Sequence, residues 1–485
     1  MNSLVEEHDR KRERIQADLR RFYERGIKVK IYHGSTNSVR AQQFEPDRMI
    51  DTTDLNRIIE INKEERYVLV EPNVPMDALV RESVKHGLVP PVVPEFPGIT
   101  VGGAVQGGAG ESSSFKYGGV HECCEEYEML LGSGEVVRAS RQERADLFWG
   151  TAGSYGSLGV MTMIKMRLVP ATKYVCLRYQ RYHSVESALE AVRQLSRSSV
   201  DFIDGIIFSE DRTVVMSGVR TDTPAARTAR FSRAWDEWFY LHVQTIGRKY
   251  ESYEETIPLQ DYLFRYDRGG FWVGWYGFKR WSVPFNRLTR LLFNPFLKTR
   301  ELYDILHATN TSQQFIVQDI CVPEERAQDF LDFVRTRLSI YPLWILPIKP
   351  DALTPLLSPP EKKVPFAIDI GVWGDIPGDM RDYALFLKLN RDMEQKTQEL
   401  GGRKILYAHT FYPKEEFWQI YDRSWYETLR KKYHAERTFP DVWEKVYVGD
   451  RYQSRIRSGL RTLIYRKLRE NIGMKVERHF IASKR

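Results

Sequence analysis

Long apolar runs are missing from this 485-residue chain. That shortage argues against a membrane-crossing helix, which needs about 20 consecutive apolar residues. Residues 1–25 are crowded with Glu, Asp, Lys and Arg and do not carry the apolar centre of a secretory signal, so an intracellular location is expected. Cysteine is scarce. Four residues, two of them adjacent (Cys123, Cys124), make no disulfide framework and fit a reducing compartment. No G-x-G-x-x-G follows a strand-like run, which removes the ordinary nicotinamide-binding domain. No G-x-x-x-x-G-K-[ST], H-E-x-x-H, paired C-x-x-C or G-x-S-x-G occurs either. Nucleotide hydrolysis, zinc chemistry and the usual serine hydrolase elbow lose support, and no metal site is expected. No RNA or DNA module is recognisable, so nucleic acid is not an expected partner.

What is abundant is glycine in clusters. Residues 94–119, PEFPGITVGGAVQGGAGESSSFKYGG, hold Gly98, Gly102, Gly103, Gly107, Gly108, Gly110, Gly118 and Gly119. Glycine lets backbone turn through positive φ and lets another surface approach. Successive free N–H groups in such a segment attract phosphate-like anions. Ile99, Val101, Val105, Phe115 and Tyr117 alternate with the small residues. The stretch therefore reads as a loop packed inside the protein against something flat or anionic; a set of tight turns is the plainer alternative.

Two further segments repeat the theme. A short strand at 28–32 opens into His33, Gly34, Ser35, Thr36, Asn37 and Ser38, with Arg40 close behind, which suits a pyrophosphate. Gly150, Gly153, Gly156 and Gly159 recur at every third place before a strand over 160–169. Around them the pattern predicts an amphipathic helix over 4–25, a strand at 67–71, a helix opened by Pro75, and a hairpin of 126–131 with 135–139. A large anionic cofactor held mainly by backbone is the economical explanation.

Past Pro170 the pattern changes. Strands are expected at 174–179, 202–208, 213–219, 315–322, 341–347 and 366–372, with helices at 185–195, 324–337 and 382–400. That is an antiparallel α+β sheet split by an insertion of about ninety residues, and the chain length itself suggests two domains. The insertion, about 222–312, interleaves aromatics with Arg and Lys in LFRYDRGGFWVGWYGFKRW and continues with Leu291, Leu292, Phe293 and Phe296. It reads equally as a surface for a lipid interface or apolar substrate and as packing between domains. Residues 404–412 look like a last core strand, followed by aromatic helices at 415–433 and 441–447. The formal charge of +7 is concentrated in residues 451–485, which carry +9 and leave the rest at −2. That tail reads as a basic amphipathic helix, able to lie on an anionic membrane or to dock on its own protein.

Taken together, HGSTNSVR, VEPNVPM, the 94–118 stretch and DLFWGTAGSYGSLGV resemble the FAD-linked oxidoreductases of the vanillyl-alcohol oxidase (PCMH) type. ESSSFKYG, YLFRYDRGGFW and LYAHTFYPKEEFW are similar to the Δ24-sterol reductases and their fungal relatives. The resemblance implies a two-domain α+β fold: a PCMH-type FAD domain at 1–170, an antiparallel-sheet substrate cap at 171–449, and the tail at 450–485. It assigns His33, Gly34, Ser35, Thr36, Asn37 and Ser38 to the pyrophosphate. Thr100, Val101, Gly102, Gly103, Gly107 and Gly108 would line the flavin, and Glu111, Ser112, Ser113, Lys116, Tyr117 and Gly118 would continue that wall. Gly153, Gly156, Gly159 and Val160 would close over the cofactor. With Gly98-Ile99 and no Cys before the T-V-G segment, non-covalent FAD is expected.

By the same resemblance, NADPH would donate electrons and a sterol or other lipid would be the substrate. The protein would be cytoplasmic or peripheral on the endoplasmic reticulum membrane, its surface contact made by the insertion or the tail. An isolated C=C bond is a poor hydride acceptor, so an acid must stand close to it. His409, Tyr407, Glu111 and Lys116 are the candidates by position. An FAD-dependent oxidase or dehydrogenase of an alcohol, and a lipid-binding relative without turnover, remain alternatives.

Overall fold

The computed structural model describes residues 2–34, 38–40, 43–350, 357–359, 365–378, 382–449 and 451. Ser35, Thr36, Asn37 and all of the tail 450–485 except Arg451 lie outside these. Two antiparallel sheets organise the described residues. The first has five strands in the order Ile58–Asn62, Tyr67–Val70, Val160–Arg167, Cys124–Leu130, Val136–Ser140. The second has eight: Ser252–Pro258, Tyr174–Tyr182, Arg212–Thr221, Phe202–Ser209, Leu343–Ile348, Ala367–Asp375, Phe315–Pro323 and Arg403–Lys404. The combination of helices with antiparallel sheet is α+β.

The amphipathic helix Asn2–Arg25 ends before Gly26, whose φ of 64° lets the backbone turn away. Its apolar stripe Ile15, Leu19 and Phe22 is buried. From the same helix His8 bridges Glu71 (2.9 Å) and Glu128 (3.1 Å), which tie it to the first sheet.

Four expectations are corrected by the structure. The glycine stretch is not all loop, because Val101–Gly107 is a helix capped by Thr100 Oγ1, which accepts Gly103 N–H at 3.2 Å. Residues 404–412 form no long strand: only Arg403–Lys404 pair with the sheet, and the backbone then turns at 406–408. The insertion is not only an excursion, since its Ser252–Pro258 is the edge strand beside Tyr174–Tyr182. The helix at 415–433 divides into Lys414–Ile420 and Arg423–Lys432, the second capped by Asp422.

The C-terminal helices return to the first sheet. Tyr426, Leu429, Val442 and Val446 share a core with Val68, Tyr127 and Ile164. Tyr426 Oη lies 2.6 Å from Ser157 Oγ, and Arg430 donates to Ser157 O at 2.6 Å.

Candidate active site

Three glycine-bearing segments meet at one place. Gly34 sits at φ 72°, and a Cβ there would come 2.7 Å from Thr53 Cγ2. Just beyond it Ser38 Oγ donates to Tyr407 O (3.1 Å), and Arg40 donates to Ala408 O (2.7 Å) and Leu406 O (2.8 Å). The first turn is thereby tied to the segment 406–408. The helix Val101–Gly107 approaches closely because Gly102 lies against Pro72, where a Cβ would be 2.5 Å from the proline ring. Gly153 N–H donates to Gln106 O at 2.8 Å, which fastens the third glycine segment to that helix.

A cavity of about 420 Å³ opens along this wall. His33, Ser38, Gly98, Thr100, Gly103, Gly107, Gly108, Gly110 and Tyr155 line one end. The other end is aromatic and aliphatic, with Phe271, Trp281, Phe293, Leu302, Trp344 and Trp373. Phe271 and Trp373 stand 4.4 Å apart between ring centres, and Tyr266 stacks on Phe271 at 3.8 Å. Glu95, Asp319, Asp369, Tyr303 and Tyr407 line the same space.

The glycine end carries positive charge. Burial, together with the charges of Lys30, Arg430 and Arg40, lowers the Lys445 ammonium to about 7. Burial and the Lys445 charge likewise hold His33 down to about 4, so its ring is neutral. His33 Nδ1 is buried and has no partner among the described residues. A Cβ on Gly156, at φ 75°, would stand 3.3 Å from Lys445 Nζ. Cations gathered beside open glycine backbone fit the pyrophosphate of a dinucleotide, and the small-residue wall of Gly98, Gly103 and Gly107 leaves room for a flat ring. The residues present fit FAD.

Other sequence-assigned residues lie elsewhere. Val101, Gly102, Gly159 and Val160 are packed into the protein: a Cβ on Gly159 would lie 2.9 Å from Leu130 O. The run 111–118 turns away from the cavity after Gly110. Glu111 is bonded to the buried Arg265 (2.8 Å), which also holds Asp204 (2.9 Å). Burial and the Asp204 charge push the Glu111 carboxyl up, against the opposing pull of Arg265. Ser112 Oγ lies 3.1 Å from Tyr262 Oη, and Ser113 Oγ donates to Pro91 O at 2.8 Å. Gly118, at φ 79°, abuts Glu122. Lys116 pairs with Asp201 at 3.0 Å on the surface and lies over the Tyr117 ring.

His409 is fully buried off the cavity wall. Its Nε2 lies 3.3 Å from Ser312 Oγ, and burial with the Arg40 and Lys404 charges keeps its pKa well below the usual histidine range. Of the four proposed acids only Tyr407 reaches the cavity. Sequence reasoning missed Lys445, Tyr155, Glu95, Asp319 and Asp369. A carboxylate inside an otherwise apolar strand, as in FIVQDICV and FAIDIGVW, is the signal that finds the last two.

Residues 10–140 match a family model described as an FAD binding domain. The chain is 29% identical over 470 residues to the Delta(24)-sterol reductase of Homo sapiens, spanning 93% of this protein and 89% of that one. The Delta(24)-sterol reductase homolog of Caenorhabditis elegans is 28% identical, over 92% of this protein and 89% of the relative. The Delta(24)-sterol reductase of Arabidopsis thaliana is 27% identical, over 86% and 79%. With the glycine wall and its cations, these findings define an FAD-dependent oxidoreductase carrying a PCMH-type FAD-binding domain. Within that class, Delta(24)-sterol reductases are among its near full-length relatives. Among the described residues no helix is long and apolar enough to cross a membrane.

Proposed function

We propose that this protein reduces the isolated carbon–carbon double bond (Δ24) in the side arm of a sterol or related lipid, with NADPH as electron donor. The observation that carries the reading is one cavity whose wall combines glycine-rich backbone, an aromatic cluster and three carboxyls. Bound FAD supplies hydride chemistry. The protein's own residues divide the remaining work. His33, Gly34, Ser38 and Lys445 would hold the pyrophosphate. Thr100, Gly103, Gly107 and Gly108 form the bed for the ring. Phe271, Trp344 and Trp373 hold the apolar end of the substrate and exclude water from it.

The division into an FAD domain at 1–170 and a substrate cap beyond it belongs to this reading, as does non-covalent FAD. No cysteine is on the cavity wall among the described residues, and His33, the histidine on that wall, sits just past the strand Lys30–Tyr32 and is given to the pyrophosphate in this reading. Acid precipitation should therefore release the yellow colour into the supernatant. The protein also meets a membrane surface through the insertion, whose Trp281, Leu291, Leu292 and Phe293 are exposed at or beside the cavity mouth.

Anaerobic stopped-flow absorbance tests the activity. NADPH should bleach the flavin, and a Δ24-sterol should restore its colour. If an alcohol bleaches it and NADPH does not, the oxidase alternative takes its place.

A further inference from the structure

An isolated alkene takes hydride at one carbon only when a proton reaches the other. The donor must touch the cavity, hold its proton at neutral pH and stand beside the apolar chamber. We propose that Asp319 is this proton donor, with Tyr407, Asp369 and Glu95 holding and reloading its proton. The inference rests on the reading of the protein as a reductase of an isolated C=C bond.

The strand Phe315–Pro323 presents Phe315, Val317 and Asp319 to the cavity, whereas Ile316 and Ile320 enter the opposite core. On the neighbouring strand Gly371 stands opposite Asp319, and Asp369 opposite Cys321. The glycine makes the space. A Cβ at Gly371 would lie 3.1 Å from Asp319 Oδ1 and 2.6 Å from the Trp373 ring. Asp319 Oδ1 is itself buried and has no hydrogen-bond partner among the described residues. Asp369 is engaged instead, accepting from Cys321 Sγ at 3.2 Å. Tyr407 lines the cavity with Asp319, and its Oη accepts from Trp373 Nε1 at 3.3 Å.

The groups facing Asp319 are acidic or neutral: Asp369, Glu95, Tyr407, Tyr303 and Cys321. Burial and the charges of Asp369 and Glu95 push Asp319 well above the usual carboxyl range. Burial carries Asp369 up to about 6 and Glu95 up to about 8. Three carboxyls side by side in an apolar space cannot all ionise, so the group stores protons at neutral pH. The Phe271, Trp344 and Trp373 rings favour positive charge growing on the alkene.

In the step, the Asp319 O–H bond breaks and the alkene π pair forms a C–H bond with that proton. Bound FAD, reduced by the nicotinamide donor, would supply the hydride that completes the second C–H bond. The Asp319 carboxylate then recovers a proton from solvent through its neighbours.

The test uses the full-length holoenzyme and Asp319→Asn, with wild type as reference. The variant should keep its FAD and be reduced by NADPH at the wild-type rate. Reoxidation by a Δ24-sterol should slow by about 10²–10⁴-fold, the range for loss of a positioned acid. In FAD-free protein at neutral pH, the infrared C=O stretch of a buried protonated carboxyl should be present in wild type and reduced in the variant. Wild-type single-turnover reoxidation should fall at alkaline pH as the carboxyl group loses its protons; this profile decides the matter if the variant does not fold. Sterol reoxidation within threefold of wild type, or a flat alkaline profile, overturns the assignment of Asp319. If reduced wild-type enzyme is not reoxidised by any side-arm alkene, the reductase reading itself fails.

Discussion

His8 shows how a single side chain sets a pH response. Burial alone would lower its pKa, but hydrogen bonds to Glu128 and Glu71 outweigh that and raise it from 6.5 to about 9. A raised folded-state pKa means that the stabilisation is complete below pH 6.5 and is lost as pH rises towards 9. Unfolding free energy should therefore decline by about 2–3 kcal/mol across that window, and His8→Gln should flatten the decline. Urea titrations at pH 6 and 9 measure it. Arg265 is the opposite kind of group: fully buried, pinned by Glu111 and Asp204, and covered by the Tyr262 ring at 4.2 Å. Arg265→Met leaves two acids facing each other without their cation, and should cost about 3–5 kcal/mol in the same titrations. A loss under 1 kcal/mol would mean that the buried cation is not what holds this cluster together. Sequence shows that Arg265 belongs to an aromatic–basic run, but not that it faces inward. Only the fold brings Glu111 and Asp204, 154 and 61 residues away, to it.

At the scale of elements, legibility followed periodicity. The helix Asn2–Arg25, the hairpin and the alternating strands of the second sheet repeat with clear periods, and the structure has them where the pattern puts them. The helix Val101–Gly107 was hidden because its glycines carry poor helix propensity, and its stability comes from the Thr100 cap and contact with Pro72. Residues 404–412 alternate like a strand but are diverted into a turn. There Arg40 and Ser38 take the carbonyls of 406–408 that a sheet partner would otherwise use. Lys445 left no local signal at all. Its short helix Val442–Val446 is brought back to the glycine segments by packing on the first sheet's core. If it meets the pyrophosphate, Lys445→Met should weaken FAD binding about 10- to 100-fold, the worth of one charged hydrogen bond. Because the free lysine titrates at about 7, wild-type affinity should also drop as pH rises above 7, and the variant should lose that slope. Fluorescence titration of FAD-free protein reads both; equal affinities at pH 8 and pH 6 for wild type would remove Lys445 from the site.

Across the whole molecule, the cavity links two environments that a lipid reductase must join. Its inner end lies on charged and glycine-rich backbone, and its outer end is lined by Trp281, Val283, Phe293 and Phe296. The helix Arg287–Phe293 buries no residue, and its Leu288 and Leu292 are 63% and 65% exposed. Lys279, two residues before Trp281, and Arg287, in this same helix, supply cations beside the patch, although the chain ahead of its tail sums to −2. A sterol dissolves in bilayer rather than water, so an entrance edged with Leu, Phe and Trp lowers the cost of transfer only if it rests against lipid. Cations beside it favour an anionic leaflet. Leu292→Glu removes one apolar contact and adds repulsion. Because a buried Leu is worth about 1.5–3 kcal/mol, partition onto phosphatidylserine-containing vesicles should fall at least tenfold. NADPH-driven bleaching of the flavin should be unchanged, since residue 292 is not on the cavity wall. Co-sedimentation with vesicles of mixed phosphatidylcholine and phosphatidylserine measures the partition. Equal sedimentation of variant and wild type would mean that the substrate reaches this mouth by some carrier other than the membrane.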